Sequence, residues 1–360
     1  MILGVFLAIG ESFKDFRAKG QLKRLLNYNF KEYSRHFDKV YIFSYSNERE
    51  KLPENCYLIV KKEKYLHRYL YALLLPFLRK KYIEKCDLFR GLQLTGGIPA
   101  LVCKLFFGKK IIINYGYDYS NFAKIEGKLF QAFLYKVIEK PITKLSNAVI
   151  VTSKETRALQ GNTVYIPNGV DTKLFRPKEN VKNSKIIKVI YVGRLEKQKN
   201  LSNLIKAVSQ IKNSIKLSFY GQGSQKSQLV KLAKHLKVDL NIYPPIDYQE
   251  VPKALNQADI FVLPSEEEGN PKALIEAMAA GLAVVGANVK GIRELILHRK
   301  TGILTDKSTN QIRKAIHSLR NAKTRSKLGK AARQFIMENF DIEKLLNEEV
   351  SLLIKTANEK

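Results

Sequence analysis

The segment Leu263-Pro264-Ser265-Glu266-Glu267-Glu268-Gly269-Asn270-Pro271-Lys272-Ala273-Leu274-Ile275-Glu276-Ala277-Met278-Ala279-Ala280-Gly281 holds a strand, a loop and a helix in sequence. An apolar strand ends at Leu263. A short loop containing Gly269 follows. Asn270 is expected to cap a helix, with Pro271 at its first position. The free N–H groups at such a helix start attract anions, and the helix dipole adds to the pull. Ala273, Ala277, Ala279 and Ala280 let the helix approach a sheet closely. Glu268 lies in the loop and Glu276 about one and a half turns into the helix. Two carboxylates at the mouth of an anion site can accept hydrogen bonds from sugar hydroxyls. Blander roles compete: Glu266–Glu268 can complement the dipole, and Glu276 can pair with Lys272.

Outward from this segment the same alternation repeats. Short β-rich runs occur at Val40–Ser44, Tyr57–Val60, Ile111–Ile113, Ala148–Val151, Lys188–Val192, Leu217–Tyr220, Ile260–Leu263 and Ala283–Val285. Stretches of helical length lie between them: Gln21–Arg35, Tyr65–Tyr82, Phe122–Leu145, Leu201–Lys212, Gln225–Leu236 and Lys272–Ala280. Strand–helix alternation predicts an α/β fold with parallel sheets. The strands read as apolar throughout, as sheets covered on both faces require. Ile2–Ile9 reads as a first buried strand; it has no basic flank and runs into Glu11. Pro167–Ser184 reads as a domain boundary, because a turn at Pro167-Asn168-Gly169 is followed by polar sequence without periodicity. Two Rossmann-like halves joined there would face each other across a cleft at the carboxyl ends of their strands.

A second loop with chemistry is Gly193-Arg194-Leu195-Glu196-Lys197-Gln198-Lys199-Asn200. It follows the run Lys188–Val192, with Asn200 placed to cap the next helix. Arg194 and Lys199 can clamp a diphosphate, Arg through two parallel hydrogen bonds and Lys as a point charge. Gly-x-Gly-x-x-Gly and P-loop patterns are absent, which lowers the case for a dehydrogenase or a P-loop NTPase.

The chain has 360 residues, 63 Lys+Arg and 33 Asp+Glu, a formal net charge of +30. Residues 1–180 hold 32 basic and 16 acidic side chains and residues 181–360 hold 31 and 17, so neither half is a basic tail. At 45% hydrophobic the chain can bury a sizeable core, which excludes intrinsic disorder as its main state. Such a charge draws polyanions: nucleic acid, acidic lipid or phosphorylated small molecules. Zinc-finger, RNP and basic-zipper patterns are absent. Cys56, Cys86 and Cys103 are irregularly spaced and read as buried reduced thiols. Scattered histidines and the lack of any Asp-x-Asp predict no protein-built metal site. Tyr69–Leu78 is too short to span a bilayer, and no transmembrane helix is expected.

Taken together these motifs resemble a retaining glycosyltransferase of the group 1 type, glycosyltransferase family four, with the GT-B fold. The resemblance rests on Ile166-Pro167-Asn168-Gly169-Val170-Asp171 with Phe175 and Pro177, Gly193-Arg194 with Lys199-Asn200, Gly221-Gln222-Gly223, Ala258-Asp259 with Pro264-Ser265, Glu268 and Glu276 eight residues apart, and Gly291 with Glu294. It implies an acceptor-binding Rossmann-like domain over 1–167 and a donor-binding one over 168–341, with a C-terminal helix at about 342–360 packing back on the first. It implies that Arg194 and Lys199 hold a nucleotide-sugar's diphosphate, aided by Gly193. Glu276 would hold the ribose, Glu268 the transferred sugar's hydroxyls, and Gly269, Asn270, Pro271 and Lys272 the sugar and phosphates. Tyr243–Ile246 would lie near the base. The family often has an aromatic at Asn270 and Gly at Pro271.

The first half departs further from the family. Its Gly-Gly after the first strand is reduced to Lys19-Gly20, leaving Gly20 as the candidate for that phosphate loop. Where many members have His-Gly, this chain reads Asn114-Tyr115-Gly116-Tyr117-Asp118, so Asp118 and Tyr115 are the sugar or acceptor candidates and no catalytic His is assigned. The implied activity is hexosyl transfer from a nucleotide-diphosphate sugar, without cofactor or metal, to a lipid-linked or polysaccharide acceptor in cell-envelope glycan synthesis. Residues 51–150 carry 18 basic and 7 acidic side chains, and basic clusters flank Tyr65–Leu78. A basic amphipathic helix of that kind can lie on an anionic bilayer. The expected location is therefore cytoplasmic and peripheral on the inner face of the cell membrane. The alternatives are a GT-B sugar-nucleotide epimerase and a non-catalytic basic polyanion-binding protein.

Overall fold

The structure is a computed structural model that describes residues 1–116, 118–157, 161–177, 186–211 and 215–359. Tyr117, the end of the helical stretch at Lys212, and the part of the proposed boundary from Lys178 to Ser184 lie outside the described residues. The chain divides into two compact units: Met1–Pro167 with Glu343–Lys360, and Asn168–Ile342.

The first unit is built on a seven-stranded sheet in the order β3-β2-β1-β4-β5-β6-β7. Its strands are β1 (Ile2–Phe6), β2 (Lys39–Phe43), β3 (Cys56–Ile59), β4 (Leu88–Gly91), β5 (Lys110–Tyr115), β6 (Ala148–Val151) and β7 (Thr163–Tyr165), all paired in parallel. Helices cover both faces. On one face Phe13, Phe30, Tyr33 and Val40 pack with Leu345, Val350 and Leu353 of the last helix, Ile342–Asn358. On the other, Phe6 stacks on Phe89 at 5.0 Å beside Phe43. The buried residues of β1 and β2 are apolar on both sides, as a doubly covered sheet demands.

The second unit has a six-stranded parallel sheet, β10-β9-β8-β11-β12-β13. The strands are β8 (Ile187–Val192), β9 (Ile215–Tyr220), β10 (Asp239–Tyr243), β11 (Ile260–Leu263), β12 (Ala283–Ala287) and β13 (Ile303–Thr305). The expected α/β class with two parallel sheets is what forms. In each unit the strand order reverses once, between β1 and β4 and between β8 and β11. At such a switch point the loops at the carboxyl ends diverge and leave room for a ligand.

Several local expectations are corrected. β9 is not apolar throughout: it alternates, burying Ile215, Leu217 and Phe219 and leaving Lys216, Ser218 and Tyr220 half-buried. Its neighbour β10 forms the edge of the sheet, where cover is thinner. The stretch Gln21–Arg35 folds as two short α-helical pieces around a π-helical segment, Leu25–Phe30. Phe122–Leu145 is two helices, Tyr119–Ile125 and Leu129–Leu145, parted at Gly127, whose φ of 77° only glycine adopts easily. The helix expected at Tyr65–Tyr82 runs from Arg68 to Leu78. Arg79 there turns back onto Glu63 with two hydrogen bonds of 2.8 Å, and a short turn, Lys80–Ile83, follows.

Candidate active site

Strands β8 and β11 are hydrogen-bonded neighbours, so the loops that leave their carboxyl ends lie side by side. The first begins at Gly193, whose N–H donates to the Tyr220 carbonyl at 2.9 Å. The second contains Glu268. This adjacency brings Lys199 to Glu268: Nζ donates to Oε1 at 2.6 Å, and both side chains are about nine-tenths buried. The Ser265 hydroxyl donates to the same oxygen at 2.6 Å.

Gln198 stitches the two loops together. Its carbonyl accepts from the Glu266 N–H at 2.8 Å, and its side-chain amide donates to the Glu267 carbonyl. Its Oε1 also receives Arg194 Nη2 at 3.3 Å, so the otherwise exposed guanidinium is oriented over the same loop. Beneath it the Tyr191 hydroxyl donates to the Arg194 carbonyl at 2.7 Å. Burial, and next the Glu268 carboxylate, push the Tyr191 hydroxyl well above its ordinary range, so it stays neutral.

The helix after the loop, Lys272–Ala279, starts differently from the expectation. Pro271, not Asn270, occupies the cap position, and no side chain caps the helix. Asn270 is instead held by Asn168: the Asn168 N–H donates to Asn270 Oδ1 at 2.8 Å, and Asn168 Nδ2 to the Asn270 carbonyl at 2.7 Å. The Leu274 and Ile275 N–H groups donate to the Pro271 carbonyl at 3.1 and 3.2 Å, and the helix start, with no side-chain cap, has the polarity that attracts an anion. Lys272 is exposed at this end, whereas Glu276 is buried in the second turn. Gly291 presses on the loop from beyond, since a Cβ there would lie 1.9 Å from the Gly269 carbonyl oxygen. Asn200 sits at the start of the helix Leu201–Ser209 but does not cap it. Its backbone is left-handed, and its amide donates to the Pro264 and Lys307 carbonyls. Tyr243, at the end of β10, stacks on Tyr220 with ring centroids 4.7 Å apart.

The candidates from the first half stand apart in kind. Gly20 is not in a loop after β1. It follows the helix Phe13–Ala18 in left-handed conformation, its N–H bonded to the Arg17 carbonyl, and so ends that helix. The helix start that a phosphate would meet is already occupied: Glu48 accepts from the Phe13 and Lys14 N–H groups at 3.0 Å each. Asp118 caps the helix Tyr119–Ile125 by accepting from the Asn121 N–H at 2.8 Å. Tyr115 is buried against Tyr119, and its hydroxyl bonds to Glu139. Burial raises the Glu139 carboxyl, with nearby Asp118 adding to the shift.

Ser265, Gln198 and Asn168 were not assigned roles from sequence. Ser265 lies only three positions from its partner Glu268, whereas Gln198 meets Glu267 across 69 positions and Asn168 meets Asn270 across 102, which spacing does not reveal. Among the described residues no three His, Cys, Asp or Glu side chains gather as a metal site would need.

The model for glycosyl transferases group 1 matches residues 172–335, the part that carries this site. An uncharacterized glycosyltransferase of Methanocaldococcus jannaschii is 30% identical over 286 residues, covering 72% of this chain and 71% of that one. The UDP-Gal:alpha-D-GlcNAc-diphosphoundecaprenol alpha-1,3-galactosyltransferase of Escherichia coli is 25% identical over 299 residues, 75% of this chain and 76% of that one. Among solved structures, a sucrose-phosphate synthase from Thermosynechococcus elongatus superposes with a TM-score of 0.86 over 99% of this chain and 98% of its own, at 20% identity. That likeness shows the fold, GT-B. The two parallel sheets, the loop pair at the β8–β11 switch point and these matches agree: the chain belongs to the group 1 glycosyltransferases.

Proposed function

We propose that the chain moves a hexose, with retention, from a nucleotide-diphosphate sugar to a lipid-linked or other glycan acceptor in cell-envelope glycan synthesis, working peripherally at a membrane. The observation that carries this reading is the Lys199–Glu268 pair beside Arg194, set next to an uncapped helix start. An ammonium has three donors, and Glu268 takes one of them, so Lys199 can bridge the carboxylate and a phosphate oxygen. Arg194 can grip the same diphosphate in a fork.

Transfer breaks the bond between the sugar's anomeric carbon and a phosphate oxygen, and negative charge grows on the leaving diphosphate. Arg194, Lys199 and the amides at Asn270–Lys272 stabilise that charge where it develops. Glu268, held by Ser265 and Lys199, accepts from sugar hydroxyls, and Glu276 from the ribose. The leaving phosphate oxygen takes the acceptor's proton during front-face attack, so no protein nucleophile is assigned. No metal is called on, because the cations supply the neutralising charge. The E. coli relative's name specifies UDP-galactose and a diphosphoundecaprenol-linked acceptor, which supports a UDP-sugar and a membrane-borne acceptor here.

The test is nucleotide release from a panel of nucleotide-sugars, with the products resolved by chromatography and a parallel arm in EDTA. Transfer from one donor, unchanged by the chelator, is expected. Conversion of the donor to its epimer, or nucleotide release only with added metal, overturns the assignment.

A further inference from the structure

The most unusual surface of the first unit is apolar. The helix Leu129–Leu145 turns Phe130 and Phe133 outward at 75% and 63% exposure, with Leu129, Leu134 and Val137 also exposed. The patch does not end with that helix. The helix Gln93–Phe107 packs against it and brings Phe106 to the surface at 67% exposure. Phe106 in turn meets Phe77 of the helix Arg68–Leu78 edge-on at 5.4 Å, and that helix also exposes Leu73. Three adjacent helices thus present large apolar side chains to solvent, well beyond the scattered single residues of an ordinary surface.

The charge of the segment that carries this patch is mostly positive. Between Lys61 and Lys144 there are 17 Lys+Arg and 6 Asp+Glu. On the helix Leu129–Leu145, Lys136, Lys140 and Lys144 are exposed alongside the phenylalanines, and Lys128 stands just before it. The helix's one acid, Glu139, is half-buried. Lysine stems can lie along apolar surface while their heads reach outward, the arrangement of a helix lying in a bilayer interface.

We propose that the outer faces of the helices Arg68–Leu78, Gln93–Phe107 and Leu129–Leu145 form one surface that inserts into an anionic bilayer, with Phe130 and Phe133 entering the acyl boundary and the lysines meeting lipid phosphates. A second copy of the chain is a poorer occupant, because a two-fold interface would set the same lysine-rich rim against itself. A nucleic acid would meet the lysines but leave the leucines and valine uncovered.

The inference deepens the reading of a membrane-borne acceptor, and the experiment separates the two. The full chain is sedimented with vesicles of phosphatidylcholine alone, or of phosphatidylcholine and phosphatidylglycerol in equal parts. Nucleotide release with a water-soluble acceptor is followed in the same preparations without lipid. The wild type is expected to bind the anionic vesicles and lose binding as salt rises. Phe130→Ser/Phe133→Ser is expected to weaken binding by more than about tenfold. Lys136→Glu/Lys140→Glu should weaken it on anionic vesicles by a similar factor. Val230→Ser/Met337→Ser, which removes exposed apolar groups from the second unit, should bind as wild type. Nucleotide release should be unchanged in all three variants. Wild-type binding by the Phe130/Phe133 variant overturns the proposal, as does lack of vesicle binding by the wild type. A wild-type dimer that the same variant splits overturns it too. Absence of nucleotide release with intact vesicle binding overturns the enzymatic reading alone.

Discussion

The two units share a fold and use charge in opposite ways. In the second, charged groups gather at the carboxyl ends of β8 and β11 with donors left over: Lys199 on Glu268, Arg194 on Gln198. In the first, the comparable groups are consumed by the structure. Arg90 of β4, wholly buried, donates to Glu349 of the last helix at 2.8 Å, and the Tyr33 hydroxyl donates to the same oxygen at 2.6 Å. Glu48 takes the helix start beside β1. Its surface displays apolar side chains instead. The same switch-point geometry thus carries charged groups toward the loops in one unit and locks them into the fold in the other.

The comparison can be broken most severely at Glu349. Glu349→Ala leaves the Arg90 guanidinium buried without its carboxylate, and a loss of about 3–5 kcal/mol is expected. Urea unfolding should show the loss, and a variant as stable as wild type would remove the buried pair from the account. Next comes the donor loop. Arg194→Ala and Lys199→Ala should each lower turnover by about 10²–10³, the effect of losing one donor to developing charge. Arg194 is exposed, so its variant should melt as wild type does; unchanged turnover in both would sink the donor-site assignment.

Ser265→Ala removes one of the two donors to Glu268 Oε1 while Lys199 remains. About 1 kcal/mol is the expected loss, read as a severalfold drop in kcat/KM that Ser265→Thr restores. No change would mean that Lys199 alone positions the carboxylate. The smallest effect concerns Glu63, whose carboxyl is held below its usual value chiefly by its hydrogen bonds from Arg79. A depressed folded-state pKa contributes stability above the ordinary carboxylate value of 4.5 and loses it as pH falls through the folded value. The pair is partly exposed, so under about 1 kcal/mol is involved. Glu63→Gln should lower stability by that small amount at neutral pH and match wild type at low pH, so that this part of the acid limb flattens.

Much of the second unit was legible beforehand because its signals are local. Apolar runs of strand length at Ile260–Leu263 and Ala283–Val285, and the punctuation at Gly193 and Gly269, announce strands and their loops without knowledge of neighbours. The strands β4, β7, β10 and β13 were missed. Leu88–Gly91 contains Arg90, which reads as a surface residue until Glu349 is found beside it. Asp239–Tyr243 is a polar edge strand with no apolar run. Asn270 and Asn200 looked like caps by residue type, yet the Asn270 side-chain oxygen accepts from the Asn168 N–H and the Asn200 side-chain NH2 donates to the Pro264 and Lys307 carbonyls. Gly20 fell where a family pattern suggested a phosphate loop, and it proved to end a helix.

The sequence by itself determined the α/β class, the positions of the two candidate loops at Gly193–Asn200 and Ser265–Pro271, and the excess of positive charge. Each follows from short-range periodicity, Gly and Pro conformational limits or simple counting. Tertiary structure alone decided which groups meet. Lys199 reaches Glu268 across 69 positions because β8 pairs with β11, and Arg90 reaches Glu349 across 259 because the last helix packs on the first sheet. It also decided which apolar residues of Leu129–Leu145 stay in water. A helix with apolar residues around most of its circumference does not declare its buried side until its neighbours cover only one face.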